Sequence, residues 1–247
     1  IAGLENNRTG WPYLTQRARQ SGIQLEVSRL NSQPHTSVYG HISITGRANL
    51  DMFDYAGELP EVKVKSLENV AAFLGIKLDH ALADESELGD SWKTPEGRHA
   101  LVNRNTARTT AILQMTERFL EFGMELSALT CMPLDQVATA AVGHRVDSYL
   151  IKEAYAQGHL IPHRSEETHM RYQGAVVLAP HEGLHENVIA LDFASMYPNL
   201  MILYNLSPDT FVRAGERIDE DACWTVEPLG YRFRKTPAGL YKTALAN

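Results

Sequence analysis

The stretch ENVIALDFASMYPNLMILYNLSPDT, Glu186 to Thr210, decides how the rest of the chain is read. Its first part, NVIALDF, has the composition of a buried apolar strand. The run ends in Asp192 and an aromatic, Phe193, then meets a small-residue turn and a short helix containing Tyr197 and Pro198. A carboxylate at the mouth of a strand can hold a divalent cation, and the backbone amides of the next turn are left to face an anion. A lone Asp after a strand is usually a cap or a turn former. Asp followed by Phe-x-Ser-x-Tyr-Pro is a far rarer string.

Just upstream, YQGAVVLAP, Tyr172 to Pro180, reads as another strand, and the polar HLIPHRSEETHMR ahead of it as a boundary. Before that boundary, MPLDQVATAAVGHRVDSYLIKEAYAQG predicts one or two helices, with Pro133 in a first turn and Gly158 as a stop. A longer helix is predicted from Glu96 to Leu129, with Leu101, Ala107, Ile112, Met115, Phe119 and Phe122 on its more apolar positions. The acidic DHALADESELGD reads as a solvated loop whose carboxylates have no fixed scaffold. SLENVAAFLGI is a helix started by Ser66 with Asn69 and closed near Gly75. IQLEVSRL and TSVYGHISI alternate as two strands of a hairpin joined through NSQPHT, and Trp11 to Ser21 is an amphipathic helix that Gly22 can end.

The composition is that of an ordinary globular protein: 247 residues, 44% hydrophobic and 21% charged. No apolar run nears the roughly 18 residues of a spanning helix, and no secretory leader is visible at Ile1. The two cysteines, Cys131 and Cys223, lack partner histidines at metal spacing, which excludes a zinc site or disulfide framework and suits a reducing compartment. A net charge of −7 excludes a uniformly basic nucleic-acid binder but leaves room for local basic surface. Beginning at Ile1 and ending in YKTALAN, the chain reads as a piece of something longer.

The string Asp192, Phe193, Ala194, Ser195, Met196, Tyr197, Pro198, Asn199, Leu200 resembles motif A of the family B DNA polymerases, Asp-Phe-x-Ser-Leu-Tyr-Pro-Ser-Ile. It departs at Met196, Asn199 and Leu200, which spare the carboxylate and the Tyr. The continuation YNLSPDT, Tyr204 to Thr210, is similar to the archaeal members. The resemblance implies that Asp192 binds catalytic magnesium with help from the Phe193 carbonyl. It implies that amides of Ala194, Ser195, Met196 and Tyr197 contact the triphosphate of an incoming dNTP, and that the Tyr197 ring excludes a ribose 2′-hydroxyl. YQGAVVLAP resembles the Tyr-x-Gly-Gly/Ala element joining exonuclease and polymerase modules, with Tyr172, Gly174 and Ala175 at the pattern positions and a role in contacting template DNA. ELSALTCMPLDQVATAAVGHRVDSYLIKEAYAQGHLIPHR is similar to the helices ahead of it, WPYLTQRARQSGI to the helix after the second exonuclease motif, and RFRKTPAGLYKTALAN to the lead-in to the fingers.

The resemblance thus covers the whole chain and implies a mixed α/β fold: a ribonuclease-H-like exonuclease remnant over 1–125, a helical connector over 126–171 and the start of a polymerase palm over 172–247. The parent would be a DNA-directed DNA polymerase, cytoplasmic and nucleoid-associated, acting on primer–template DNA, with a sliding clamp as a partner through parts outside this chain. The fragment alone would be inactive. The second exonuclease motif, Asn-x-x-x-Phe-Asp, aligns with Glu5, Thr9 and Gly10; the third, Tyr-x-x-x-Asp, with Val102 and Thr106. Two metal ions about 4 Å apart need several carboxylates. Gly10 and Thr106 offer none, and Glu5 cannot replace both, so the exonuclease site reads as lost.

Tyr231 to Lys242 carries Arg232, Arg234, Lys235 and Lys242 without an acid, interleaved with Tyr231, Phe233 and Tyr241. Such a stretch suits phosphate contact, with a solvated charged face as the plain alternative. Arg104 and Arg108 have the same two readings; the ten histidines are scattered, and those of HLIPHR and HEGLH read as surface loop residues. A different class of function, a non-catalytic DNA-binding or scaffold paralogue, is favoured by the lost exonuclease acids and opposed by the intact Asp192 and Tyr197.

Overall fold

A computed structural model describes residues 1–37, 40–78, 88–161, 174–227 and 229–246. The fold is mixed α/β, dominated by helices with three two-stranded sheets among the described residues. Two units separate, Ile1–Tyr149 and Leu150–Asn247.

In the first unit, β1 (Ala2–Gly3) leads through a π-helical turn, Asn6–Gly10, into α1 (Trp11–Gln20). Gly22 takes φ +65 and ends α1 as its sequence predicts. The expected hairpin between IQLEVSRL and TSVYGHISI is corrected. The ladder instead joins β2 (His35–Thr36) to β3 (Ile42–Ser43), antiparallel, so the second run folds back on itself. Gly40, at φ +84, permits that reversal, and Ser37 N–H donates to the His41 carbonyl at 2.8 Å. IQLEVSRL stays irregular because Ile23 and Leu30 find no apolar face and remain exposed.

The chain then enters β4 (Leu50–Asp51), which pairs in parallel with β1. Asp51 caps α2 (Met52–Ala56) by accepting from Phe53 N–H, and Ser66 caps α3 (Leu67–Phe73) by accepting from Asn69 N–H. The acidic stretch lies mostly outside the described residues; its end forms the turn α4 (Leu88–Ser91). Thr94 caps α5 (Pro95–Thr130), a helix of 36 residues that ends where Cys131 turns left-handed. Ala111, Met115 and Phe119 of α5 pack on Leu50, Met52, Tyr55, Ala56, Leu67, Val70 and Ala71, and this cluster is the core. Phe122, expected on the apolar side, is exposed; Gly123 takes the buried place, where an added Cβ would meet the Tyr55 ring. Pro133 sits just ahead of α6 (Leu134–Val137) rather than in its first turn.

Helix α7 (Val142–Ala156) runs across the division between the units, and Gly158, at φ +72, stops it. The expected boundary segment falls almost wholly outside the described residues, as do Tyr172 and Gln173. The strands expected in Tyr172–Pro180 and Asn187–Phe193 are a second correction: from Gly174 to Phe193 the backbone is irregular. A strand needs a partner ladder and a face to bury against. No described residue pairs with this run, and Ile189 and Leu191 are 80% and 91% exposed. Regular structure resumes at α8 (Met196–Leu203), followed by a 3-10 turn, Glu220–Ala222, the antiparallel pair β5 (Cys223–Val226) and β6 (Tyr231–Arg234), and α9 (Leu240–Ala246).

Candidate active site

The turn after Asp192 is sharp because Ser195 adopts φ 49, ψ 44. A left-handed conformation costs a non-glycine residue about 1 kcal/mol, and such strain concentrates at functional turns. Helix α8 starts at the next residue. No side chain caps it and its first turn holds no acid, so its positive end carries no built-in anion. Pro198 sits in that first turn, where its missing N–H costs no helical bond. Asn199 secures the turn from below: its backbone N–H donates to the Ser195 carbonyl and its side-chain amide to the Ala194 carbonyl, both at 3.0 Å. Asp192, Phe193, Ala194, Ser195, Met196 and Tyr197 therefore lie on one exposed stretch, with the Tyr197 ring 69% exposed. Oxygen donors suit magnesium, which takes one or two carboxylates together with substrate phosphates. Asp192 and the Phe193 carbonyl are donors of that kind.

Immediately beyond α8 lies a polar knot. Asn205, at φ 53 and 1% exposed, donates from its side-chain amide to the carbonyls of Arg234 (2.7 Å) and Pro237 (2.9 Å). Its amide oxygen accepts from Gly239 N–H at 2.8 Å. Buried Thr210 donates its hydroxyl to the Asn205 carbonyl at 2.6 Å. Ser207 Oγ accepts from Tyr241 N–H, and the Asp209 carboxylate accepts from Leu240 N–H, each at 3.2 Å. Gly239 fits because a Cβ there would stand 2.7 Å from both Ser207 Cβ and Thr210 Cγ2.

The basic stretch runs from β6 into α9, and Arg232, Arg234 and Lys235 have intramolecular partners. Arg234 pairs with Glu216, Arg232 donates to the Glu216 carbonyl, and Lys235 donates to the Asp221 carbonyl while lying over the Trp224 ring. Tyr204 meets Trp224 edge-on at 5.3 Å between ring centroids. Gly174 is exposed on irregular backbone, and Tyr172 lies outside the described residues.

In the first unit, Glu5 is left-handed at φ 58 and accepts Thr9 N–H through its carbonyl, while Gly10 leads directly into α1. Val102 and Thr106 are exposed on α5, and the Thr106 hydroxyl is bonded back to the Val102 carbonyl at 2.9 Å. Two acids that sequence reading passed over stand near Glu5: Asn7 donates its backbone N–H to Asp51 and its side-chain amide to Asp54. Burial raises the Asp51 carboxyl above the usual range against the N–H bonds it accepts from Asn7 and Phe53. Among the described residues no group of three or more His, Cys, Asp or Glu is placed to hold a metal ion. Asn7 also bridges to Ile42 N–H and Asn49, and Asn49 accepts from the Trp11 indole, so this cluster is tied up internally.

The family model described as DNA polymerase family B matches residues 132–239. The chain is 46% identical to DNA polymerase 2 of Aeropyrum pernix, over 99% of this chain and 31% of that protein. It is 39% identical to the DNA polymerase of Archaeoglobus fulgidus, over 99% of this chain and 30% of that protein. Its structure matches the family B DNA polymerase of Pyrobaculum calidifontis with a TM-score of 0.78 at 40% identity, covering 99% of this chain and 32% of that one. The chain thus spans about a third of the length of the proteins it matches.

Proposed function

Because this chain belongs to the family B DNA polymerases, we propose that it is the segment of an archaeal-type DNA-directed DNA polymerase that carries motif A. The observation that supports this most is the string Asp192-Phe193-x-Ser195-x-Tyr197-Pro198 wrapped on a left-handed turn at the open end of α8. In that reading the reaction is transfer of a nucleotide from a dNTP to a primer 3′-hydroxyl, in the service of DNA replication. Asp192 and the Phe193 carbonyl would hold magnesium, which when bound neutralises charge developing on the phosphates. Backbone amides from Ala194 to Tyr197, at the positive end of α8, donate to the triphosphate. The exposed Tyr197 ring stands against the sugar and blocks a 2′-hydroxyl. Primer–template DNA would be met near Tyr172 and Gly174, and by whatever the self-paired Arg232, Arg234 and Lys235 can spare.

The same reading divides the chain into an exonuclease remnant over 1–125, a helical connector over 126–171 and the start of the palm over 172–247. It makes the exonuclease inactive, supported by Gly10 and Thr106 where acids are needed and by the internal bonding of Asp51 and Asp54. No described helix is long and apolar enough to cross a membrane, and association with the nucleoid follows from the substrate. The reading is tested in the full-length protein with Tyr197→Ala. Deoxynucleotide incorporation should persist while discrimination against ribonucleotides falls, because a steric block rejects an added hydroxyl where an apolar pocket does so weakly. Unaltered sugar selectivity would refute the role given to Tyr197.

A further inference from the structure

The knot at Asn205 ties the end of α8 to the backbone that leads into α9. Helix α8 carries the motif A turn at its start, and Asn205 follows it by two residues. All three hydrogen-bonding positions of the Asn205 side chain that the fold uses point to one place, the backbone of residues 234–239 that leads into α9. Ser207 and Asp209 continue the attachment onto the first N–H groups of α9 itself. Thr210 and Val212 extend it along β6, where Arg234 N–H donates to the Thr210 carbonyl and Val212 N–H to the Arg232 carbonyl, each at 2.9 Å. Residue 205 must be left-handed, buried, and both a double donor and an acceptor. Asn tolerates that backbone and carries that set of groups.

We propose that Asn205 is a positioning residue for the incoming nucleotide: its amide latches the start of α9 to the end of the motif A helix, and so fixes where the Ala194–Tyr197 turn stands. The proposal rests on the polymerase reading. Without the latch, two partly buried carbonyls and one buried N–H lose their partners, an outcome that proteins avoid by shifting the backbone. The part of the site that must shift with α8 is the turn that receives the triphosphate. Ala194 and Ser195 are tied to α8 through the two hydrogen bonds that Asn199 donates to their carbonyls.

The test uses the full-length protein and two variants. Asn205→Asp keeps the volume and the acceptor but sets a carboxylate oxygen against the two carbonyls. Asn205→Gly keeps the left-handed backbone at little cost and removes only the amide. In both, KM for dNTP should rise, by roughly tenfold for the loss of about one buried hydrogen bond's worth of positioning, with kcat within about twofold. Hydrogen exchange at the amides of Gly239, Leu240 and Tyr241 should speed up. A purely structural defect would lower the fraction of active enzyme, cutting kcat with KM unchanged, and that result overturns the proposal. Unchanged exchange at those three amides overturns it as well. If Asn205→Asp does not fold, Asn205→Gly decides alone. Failure of the unmutated full-length protein to incorporate any nucleotide would instead sink the polymerase reading, and the proposal with it.

Discussion

Gly123→Ala sets two effects of opposite sign against each other, and the structure decides between them. In an exposed helix interior, replacing Gly by Ala stabilises by about 1 kcal/mol through backbone entropy. Gly123, however, is buried in α5, and an added Cβ would stand 2.7 Å from the Tyr55 hydroxyl oxygen and 3.0 Å from its ring. Tyr55 cannot step aside freely: it is 2% exposed, and its hydroxyl donates to the Leu134 carbonyl at 3.1 Å. Burial, and next the nearby Asp135, push that hydroxyl up to about 12, so it stays protonated and donating at any ordinary pH. Overpacking a core costs about 1–3 kcal/mol, and breaking the hydroxyl's bond in a buried place adds about 1–3 kcal/mol. Set against the helical gain of about 1 kcal/mol, the net effect is a destabilisation of about 1–5 kcal/mol. Urea unfolding followed by far-ultraviolet circular dichroism measures it, with Gly143→Ala as the control. A Cβ at Gly143 of α7 meets nothing within 4 Å, so that variant should be as stable as the parent or more so, by up to about 1 kcal/mol. A Gly123→Ala chain no less stable than the parent would refute the claimed close approach of α5 to Tyr55.

Two further outcomes are expected. His41 is fully buried, with Nδ1 2.8 Å from Ser37 Oγ and Nε2 3.9 Å from Asp135. Burial depresses its pKa more than Asp135 and Asp54 raise it. Below the ordinary histidine value of 6.5 the unfolded chain then binds the extra proton and the native one resists it. Stability should therefore fall as pH drops from 7 to 5, and His41→Leu should flatten that slope; an equal slope in both proteins would contradict it. The full-length protein should also leave labelled single-stranded DNA intact in magnesium, and degradation abolished by a chelator would refute the loss of the exonuclease.

Much of this was legible in the sequence, for local reasons. Ser66, Gly22, Gly75 and Gly158 act within a turn or two of themselves, and the helices they bound stand where those residues put them. The turn after Asp192 was legible as a string, although neither its left-handed Ser195 nor the Asn199 brace beneath it was foreseen. Strands fared worse, since their pairing depends on residues far off in the chain. TSVYGHISI made its own hairpin at Gly40, and the apolar run ahead of Asp192 found no partner among the described residues. The Asn205 knot escaped notice for a similar reason. An Asn two residues past a helix is an ordinary residue, and only the fold reveals that its partners lie about thirty positions later. The basic stretch from Tyr231 to Lys242 looked free of acids because Glu216, which pairs with Arg234, comes earlier in the chain.

The most direct measurement is made on the full-length protein carrying Asp192→Asn, with primer extension and primer–template affinity followed side by side. A neutral amide cannot offset cationic charge as a carboxylate does, and loss of one such interaction commonly costs a hundredfold or more in rate. Nucleotide incorporation should fall by at least about a hundredfold, while the Kd for primer–template, set by contacts elsewhere, stays within about twofold. Incorporation at the unmutated rate would show that Asp192 is not the carboxylate of motif A.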